Sequence, residues 1–238
     1  MILNILLTAV LFLCRCLKGL PANKYFIMEI YKFVFNPIDV NTYILADMSG
    51  DCAIIDCGCY DRDEFSELKE LIEGKKLKPV LLLNTHCHLD HIFGNGFILE
   101  KYNLGAFFHK DEESNRKMAV NHSLMFGLSM ETPPGPAGYL MDDQKISFGQ
   151  TELISIHVPG HAAGSLAFYC ENDKVVFTGD ALFKGSIGRT DLPGGNYDTL
   201  INSISKKLFT LPPETIVYPG HGDKTSIGGE MKTNPFFK

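Results

Sequence analysis

Asn84-Thr85-His86-Cys87-His88-Leu89-Asp90-His91 sets three imidazoles and a carboxylate within six positions, directly after the apolar run Pro79-Val80-Leu81-Leu82-Leu83. A short valine and leucine run bounded by a turn suits a buried strand, so the polar cluster is expected on the loop at that strand's end. Loops carried by a rigid scaffold are where binding and catalytic side chains concentrate. An isolated histidine is more often a core or surface residue than a ligand, but here three of the chain's eight histidines fall together beside an aspartate. Two histidines two apart on a short loop can converge on one metal ion, while Asp90 and His91 project the other way and could serve a second. Imidazole nitrogen and carboxylate oxygen are donors that zinc and iron accept.

A site of this kind needs three or four ligands, so distant partners must exist. Downstream, Val158-Pro159-Gly160-His161 places a histidine in a turn, and Phe177-Thr178-Gly179-Asp180 ends a β-branched run on an aspartate. Val217-Tyr218-Pro219-Gly220-His221 repeats the first of these patterns. Each candidate follows an apolar run, and Gly160, Gly179 and Gly220 are expected to permit close backbone turns beside the ligands.

With these residues in this order, the chain resembles the metallo-β-lactamase fold superfamily from about residue 28 to 235. The resemblance implies an α/β (α+β) architecture, a four-layer αββα sandwich with the site at the edge of its two sheets. It implies a first metal ion held by His86, His88 and His161, a second by Asp90, His91 and His221, and Asp180 bridging the two. The aspartate at 180 sets the chain apart from zinc β-lactamases, and His88 sets it apart from flavodiiron-type members. The resemblance is strongest to small hydroxyacylglutathione hydrolase (glyoxalase II)-like proteins and to persulfide dioxygenases, through Asp180-Ala181-Leu182-Phe183-Lys184-Gly185-Ser186-Ile187-Gly188-Arg189-Thr190-Asp191. Full-length glyoxalase II has a further helical domain that contacts glutathione. Only seventeen residues follow His221, so a C-terminal glutathione-binding helical domain is not expected here.

The implied function is that of a metal-dependent hydrolase, with two divalent ions, zinc in the first instance, cleaving a thioester such as an S-acylglutathione-like substrate by metal-bound hydroxide. Two such ions bring a water's pKa towards neutrality, so no separate strong base is required. Asp90 would both ligate and orient the nucleophile, which makes it the catalytic residue. The alternative is an oxidoreductase, a mononuclear iron persulfide dioxygenase using His86, His161 and Asp180; a hydrolase of another ester or lactone is a third reading. Histidine and aspartate suit zinc, iron and manganese alike. Arg189 is the candidate contact for a substrate carboxylate, because a guanidinium can grip one through two bonds, with an internal salt bridge to Asp191 or Asp180 as the competing role. Lys184 and Tyr218 are weaker candidates. His109, His122 and His157 lack a motif context and are assigned to surface or core, and the loop Thr132-Pro133-Pro134-Gly135-Pro136 could border the cleft.

Composition narrows the class further. The 238 residues are 45% hydrophobic with a net charge of −6, which fits one core of ordinary size and offers no basic face for nucleic acid. The tRNA-processing nucleases of the superfamily are therefore a poor match, and a small-molecule substrate is expected. Residues 1–27 differ from the rest: Met1 to Leu13 is almost wholly apolar, shorter than a membrane span, and no Lys or Arg precedes it. The favoured reading is a start codon upstream of the true one, Met28, with a signal peptide or anchor as the alternative. Residues 28–238 are then a single cytoplasmic domain with no stable membrane partner. Seven cysteines, five of them in that body, show no framework spacing and are expected to be buried free thiols.

Apolar patterning predicts strands at 29–35, 41–46, 52–56, 152–158, 165–169, 174–178 and 215–218. Helices are predicted at 63–73, with Asp63 as a cap, at 94–101 and at 197–209. Strands and helices thus come twice, each half delivering ligands from strand ends.

Overall fold

In the computed structural model, which describes residues 28–238, the strands predicted from the apolar runs are joined by four that were not predicted, at Ala106–His109, Gly138–Leu140, Gln144–Phe148 and Thr225–Ser226, to make two six-stranded sheets. The expectations for residues 1–27 lie outside the described residues. The first sheet runs in chain order, β1 (Glu29–Phe35), β2 (Val40–Ala46), β3 (Asp51–Ile55), β4 (Lys78–Leu83), β5 (Ala106–His109) and β6 (Gly138–Leu140). Its first three strands are antiparallel and β3 to β6 are parallel. The second contains β7 (Gln144–Phe148), β8 (Thr151–His157), β9 (Leu166–Cys170), β10 (Val175–Gly179), β13 (Ile216–Pro219) and β14 (Thr225–Ser226), with β10 and β13 paired in parallel. Between these last two, β11 (Leu182–Phe183) and β12 (Ser186–Ile187) make a small separate hairpin.

Why two sheets stack follows from strand periodicity, since alternate side chains leave opposite faces. In β2 every position is buried, but Tyr43 and Leu45 enter one apolar cluster while Ile44 and Ala46 enter another. In β3, Ala53 and Ile55 oppose Cys52 and Ile54 in the same way. In the second sheet, Val175 and Phe177 oppose Val176, and Leu166 and Phe168 oppose Ala167 and Tyr169. Strands apolar on both faces need cover on both sides. The inner faces of the two sheets cover each other, and helices cover the outside. Leu68 and Ile72 of α1 (Arg62–Gly74), Ile98 of α3 (Asn95–Tyr102) and Ala119 of α4 (Glu113–Met125) close the first sheet. Leu200 and Ile204 of α5 (Tyr197–Lys206) and Ile227 of α6 (Ile227–Thr233) close the second. A single turn, α2 (Leu89–Ile92), lies at the end of β4. The four layers are those expected.

Local structure departs from the sequence reading in places with physical causes. Asp61, not Asp63, caps α1: its extended backbone lets the carboxylate accept from the Asp63 and Glu64 N–H groups, both at 3.0 Å. The predicted helix at 197–209 ends at Lys206 and tightens into a 3₁₀ turn over Leu208–Thr210. Helix α4 was not expected, because what it buries is Asn115, Ala119 and Ser123, while Leu124 and Met125 are exposed. Five cysteines, Cys52, Cys57, Cys59, Cys87 and Cys170, are buried and free as expected, and burial pushes the Cys87 thiol well above its ordinary range. Among the described residues no helix is long and apolar enough to cross a membrane.

Phe177 is a keystone of the inner core, edge-on to Tyr43 at 5.2 Å and stacked on Tyr218 at 5.2 Å. Phe177→Ala should lower unfolding stability by about 3–5 kcal/mol through lost burial and the cavity left behind. A urea midpoint within error of the wild type would contradict the assignment of this residue to the shared core.

Candidate metal centre

Parallel pairing places strand C-termini on one side of a sheet. β3 and β4 therefore deliver Asp56 and the His86–His91 segment to the same edge, and β10 and β13 deliver Asp180 and His221. The two edges are sewn together. The Asn41 N–H donates to Gly220 O at 2.7 Å, the Leu166 N–H to Thr85 O at 2.7 Å, and Tyr43 Oη–H to Pro219 O at 2.7 Å. His88 is the extended residue that starts α2, whose single turn swings Asp90 and His91 back towards the edge while Leu89 and Ile92 are buried beneath it.

All seven side chains singled out from the sequence meet here. His161 Nε2 lies 3.2 Å from His86 Nε2 and 2.9 Å from His88 Nδ1. His221 Nε2 lies 3.1 Å from Asp90 Oδ2, and His91 Nε2 lies 3.5 Å from the same oxygen. Asp180 stands between the groups, Oδ1 at 3.3 Å from His91 Nε2 and Oδ2 at 3.6 Å from both His161 and His221. Donor atoms of His86, His88 and His161 lie within 4.8 Å of one another, as do those of Asp90, His91 and His221. Gly220 is needed at this spot, since a Cβ there would lie 2.1 Å from Asp180 Oδ1. Gly160 has a left-handed φ of 131°, and a Cβ would meet the Leu200 nitrogen at 2.3 Å.

The hydrogen-bond network fixes which ring atoms face inward. His91 Nδ1 contacts Asp56 Oδ2 at 2.9 Å, and Thr85 Oγ1–H donates to the same oxygen at 2.7 Å. With its proton so engaged, Thr85 Oγ1 accepts from His86 Nδ1–H at 3.1 Å. His161 Nδ1–H donates to Arg189 O at 2.8 Å, and His221 Nδ1–H to Asp39 O at 3.0 Å. In its neutral form each of these four rings therefore turns a lone pair on Nε2 towards the centre, the outer-partner arrangement typical of ligating histidines. Lone pairs facing each other at 3.2 Å repel unless a cation lies between them. His91 Nε2 and Asp180 Oδ1 are moreover buried without a hydrogen-bond partner. This donor set fits divalent metal ions.

Protonation agrees. Burial, followed by the neighbouring imidazoles, holds His86 well below its ordinary range, and burial with His161 beside it brings His88 to about 3. Burial alone would raise Asp180, but His91 and the other imidazoles hold it below the usual carboxylate range. Neutral imidazole and ionised carboxylate are the forms that bind metal.

Asp56 was not singled out from the sequence, where Asp56-Cys57-Gly58 reads as a turn. It lies just past β3 with a left-handed φ of 53°, its Oδ1 accepting the Thr85 N–H at 2.7 Å. The available signal was a carboxylate closing the apolar run Cys52-Ala53-Ile54-Ile55, as Asp180 closes its own. The substrate candidates fare differently. Arg189 is clasped by Asp191 through two bonds of 2.8 and 2.7 Å, and Lys184 meets Asp223 at 3.2 Å, all exposed. Tyr218 packs half-buried against the inner core. The Thr132–Pro134 stretch, with Tyr60, Arg62, Phe93 and Phe97, lines a cavity of about 490 Å³ that is reached one step along the chain from His91 and touches none of the clustered ligands. His109, Asp111 and His157 also gather within 4.8 Å, but the two rings stack at 4.3 Å and 11°. Lone pairs in parallel ring planes cannot converge on one ion, in keeping with the plain role assigned to these histidines.

The sequence matches the model of the metallo-beta-lactamase superfamily over residues 35–221. It is 37% identical over 211 residues to a probable metallo-hydrolase, YqgX, of Bacillus subtilis (88% of this chain, 97% of the relative). It is 36% identical over 205 residues to the hydroxyacylglutathione hydrolase GloC of Haemophilus influenzae (82% and 92%). Among solved structures it is similar to BLEG-1, described as a B3 metallo-beta-lactamase, with a TM-score of 0.82, 32% identity and coverage of 88% and 100%. It is also similar to TTHA1623 in a di-iron-bound form, with a TM-score of 0.78, 36% identity and coverage of 87% and 99%. The family match runs from the last residue of β1 to the last residue of the cluster, and the relatives align over more than nine-tenths of their length; the chain belongs to the metallo-beta-lactamase superfamily.

Proposed function

We propose that this protein is a dinuclear metal-dependent hydrolase of thioesters of the S-acylglutathione type. In this reading His86, His88 and His161 hold one divalent ion, Asp90, His91 and His221 hold the other, and Asp180 reaches both. The observation that carries it is the convergence of inward-facing lone pairs on a centre where His91 Nε2 and Asp180 Oδ1 are buried and unpartnered. Similarity to a hydroxyacylglutathione hydrolase supports the thioester, and similarity to a di-iron-bound form makes iron the alternative against which zinc is to be tested.

Two divalent ions, when bound, would acidify a water and polarise a carbonyl, which supplies the nucleophile and the electrophile together. The chain's own residues do the rest. Asp90 Oδ2, already beside His221 and His91, is placed to orient the attacking water and hold its proton. Asp56 and Thr85 keep the proton of His86 and of His91 on Nδ1, away from the centre. Arg189 and Lys184 are proposed to meet the carboxylates of the substrate. Both are now in exposed ion pairs, which contribute little to stability, so exchanging Asp191 or Asp223 for a substrate group costs little. Buried free thiols fit a reducing compartment and support a cytoplasmic location.

Protein purified without chelators should carry two divalent ions per chain and hydrolyse S-acylglutathiones without oxygen. His161→Ala should lose one ion and reduce hydrolysis by roughly 100-fold or more, the scale of losing a main electrostatic stabiliser at a reacting centre. Full thioesterase activity in that variant would sink the mechanism. Oxygen uptake with glutathione persulfide, or turnover of a β-lactam in preference to thioesters, would replace the substrate assignment.

Asp56→Ala, which removes no ligand, should weaken metal binding about 10- to 100-fold, as loss of an outer partner does. Competition with a chelating dye measures this; unchanged affinity would show that the network around Asp56 does not set the ligand orientation.

A further inference from the structure

Glu112 is a carboxylate with no exposed surface, at the start of α4 and outside every motif read from the sequence. Its Oε2 accepts the Cys87 N–H at 2.8 Å and the Asn115 amide at 2.9 Å, and its Oε1 accepts the Gly164 N–H at 2.7 Å. Cys87 lies between His86 and His88, and Gly164 lies three residues past His161. One side chain thus ties the loop leaving the first sheet to the loop between β8 and β9 of the second. These are the two segments that supply all three ligands of the first proposed ion. None of the second ion's ligands sits on the β8–β9 loop.

The choice of residue is chemically determined. All three neighbours are donors, so both oxygens must accept, which a glutamine cannot offer because its amide nitrogen would face an N–H. Charge-assisted bonds of this kind are about twice as strong as neutral ones. Gly164 is shaped to the contact, since a Cβ there would lie 2.9 Å from Glu112 Cγ. Asp56, by contrast, touches His91 and the Thr85–His86 side of the network and has no bond to the His161 loop.

We infer that Glu112 is the positioning residue of the first metal site: by setting the separation of the 86–88 and 161–164 loops, it controls ion affinity at that site and not at the second. The inference rests on the ligand assignment proposed above.

The test is a stepwise cobalt(II) titration of the metal-free full chain, followed by visible absorption, for wild type, His161→Ala, Glu112→Gln and Glu112→Asp, with thermal melting of each metal-free protein. His161→Ala identifies the step that belongs to the first site. Glu112→Gln should weaken that step roughly 10- to 100-fold and shift its absorption band, leaving the second step in place, while the metal-free protein still melts cooperatively, at a lower temperature because one buried N–H loses its acceptor. Glu112→Asp keeps the charge but is one methylene too short to span both loops, and should fall between. Unchanged first-site affinity in Glu112→Gln, or equal loss at both sites, would overturn the inference alone. If neither Glu112 variant folds, it is also overturned, since Glu112 is then a requirement of the fold. A wild-type chain that takes up no ion through His161 would overturn the ligand assignment, and the inference with it.

Discussion

Five imidazoles and two carboxylates crowd on one centre, and no local preference of the backbone would gather them. What holds them is the inner core. Two sheets locked face to face by Tyr43, Leu45, Phe168, Phe177 and their neighbours have edges that cannot slide, so groups hung from those edges stay where packing puts them. The cross-sheet bonds from Asn41, Tyr43 and Leu166 pin the same edge at the point where the ligands emerge. Stability is taken from apolar burial away from the site and spent where the polar groups crowd.

Around the ligands the polar network is graded. Asp56 and Thr85 serve ring protons, backbone carbonyls of Arg189 and Asp39 serve two more, and Glu112 serves backbone N–H groups. Apart from the exposed bond from His221 to Asp39 O, these contacts are buried or half-buried, where an unpaired polar group would be costly. The exceptions, His91 Nε2 and Asp180 Oδ1, are the atoms aimed at the centre. A network satisfied on its outside and unsatisfied on its inside is what a cation site requires.

The same contrast separates the centre from the other histidine cluster. His109 and His157 are as close as the histidines of the centre, but their rings lie flat on each other and His157 Nε2 contacts the Ala163 carbonyl at 3.0 Å. Proximity of ligand types is a weak signal; lone-pair direction is the strong one.

The histidine and aspartate motifs, their order, and most of the strands could be read from the chain because each is a local pattern: a spacing, an apolar run, a turn residue. Asp61 capping α1 in place of Asp63, and the unexpected α4, show where local pattern weakens, since a cap depends on backbone geometry and α4 buries small or polar residues. Asp56 and Glu112 escaped for a deeper reason. A carboxylate beside Thr85 or beneath Cys87 and Gly164 gains its meaning from partners 29, 25 and 52 positions away, brought near only when the sheets stack. By itself the sequence determined which histidines and aspartates form the ordered motifs and which apolar runs precede them. Only the tertiary structure decided which atom of each ring faces inward and which buried acids hold the loops, because hydrogen-bond direction is set by contacts that exist only after folding.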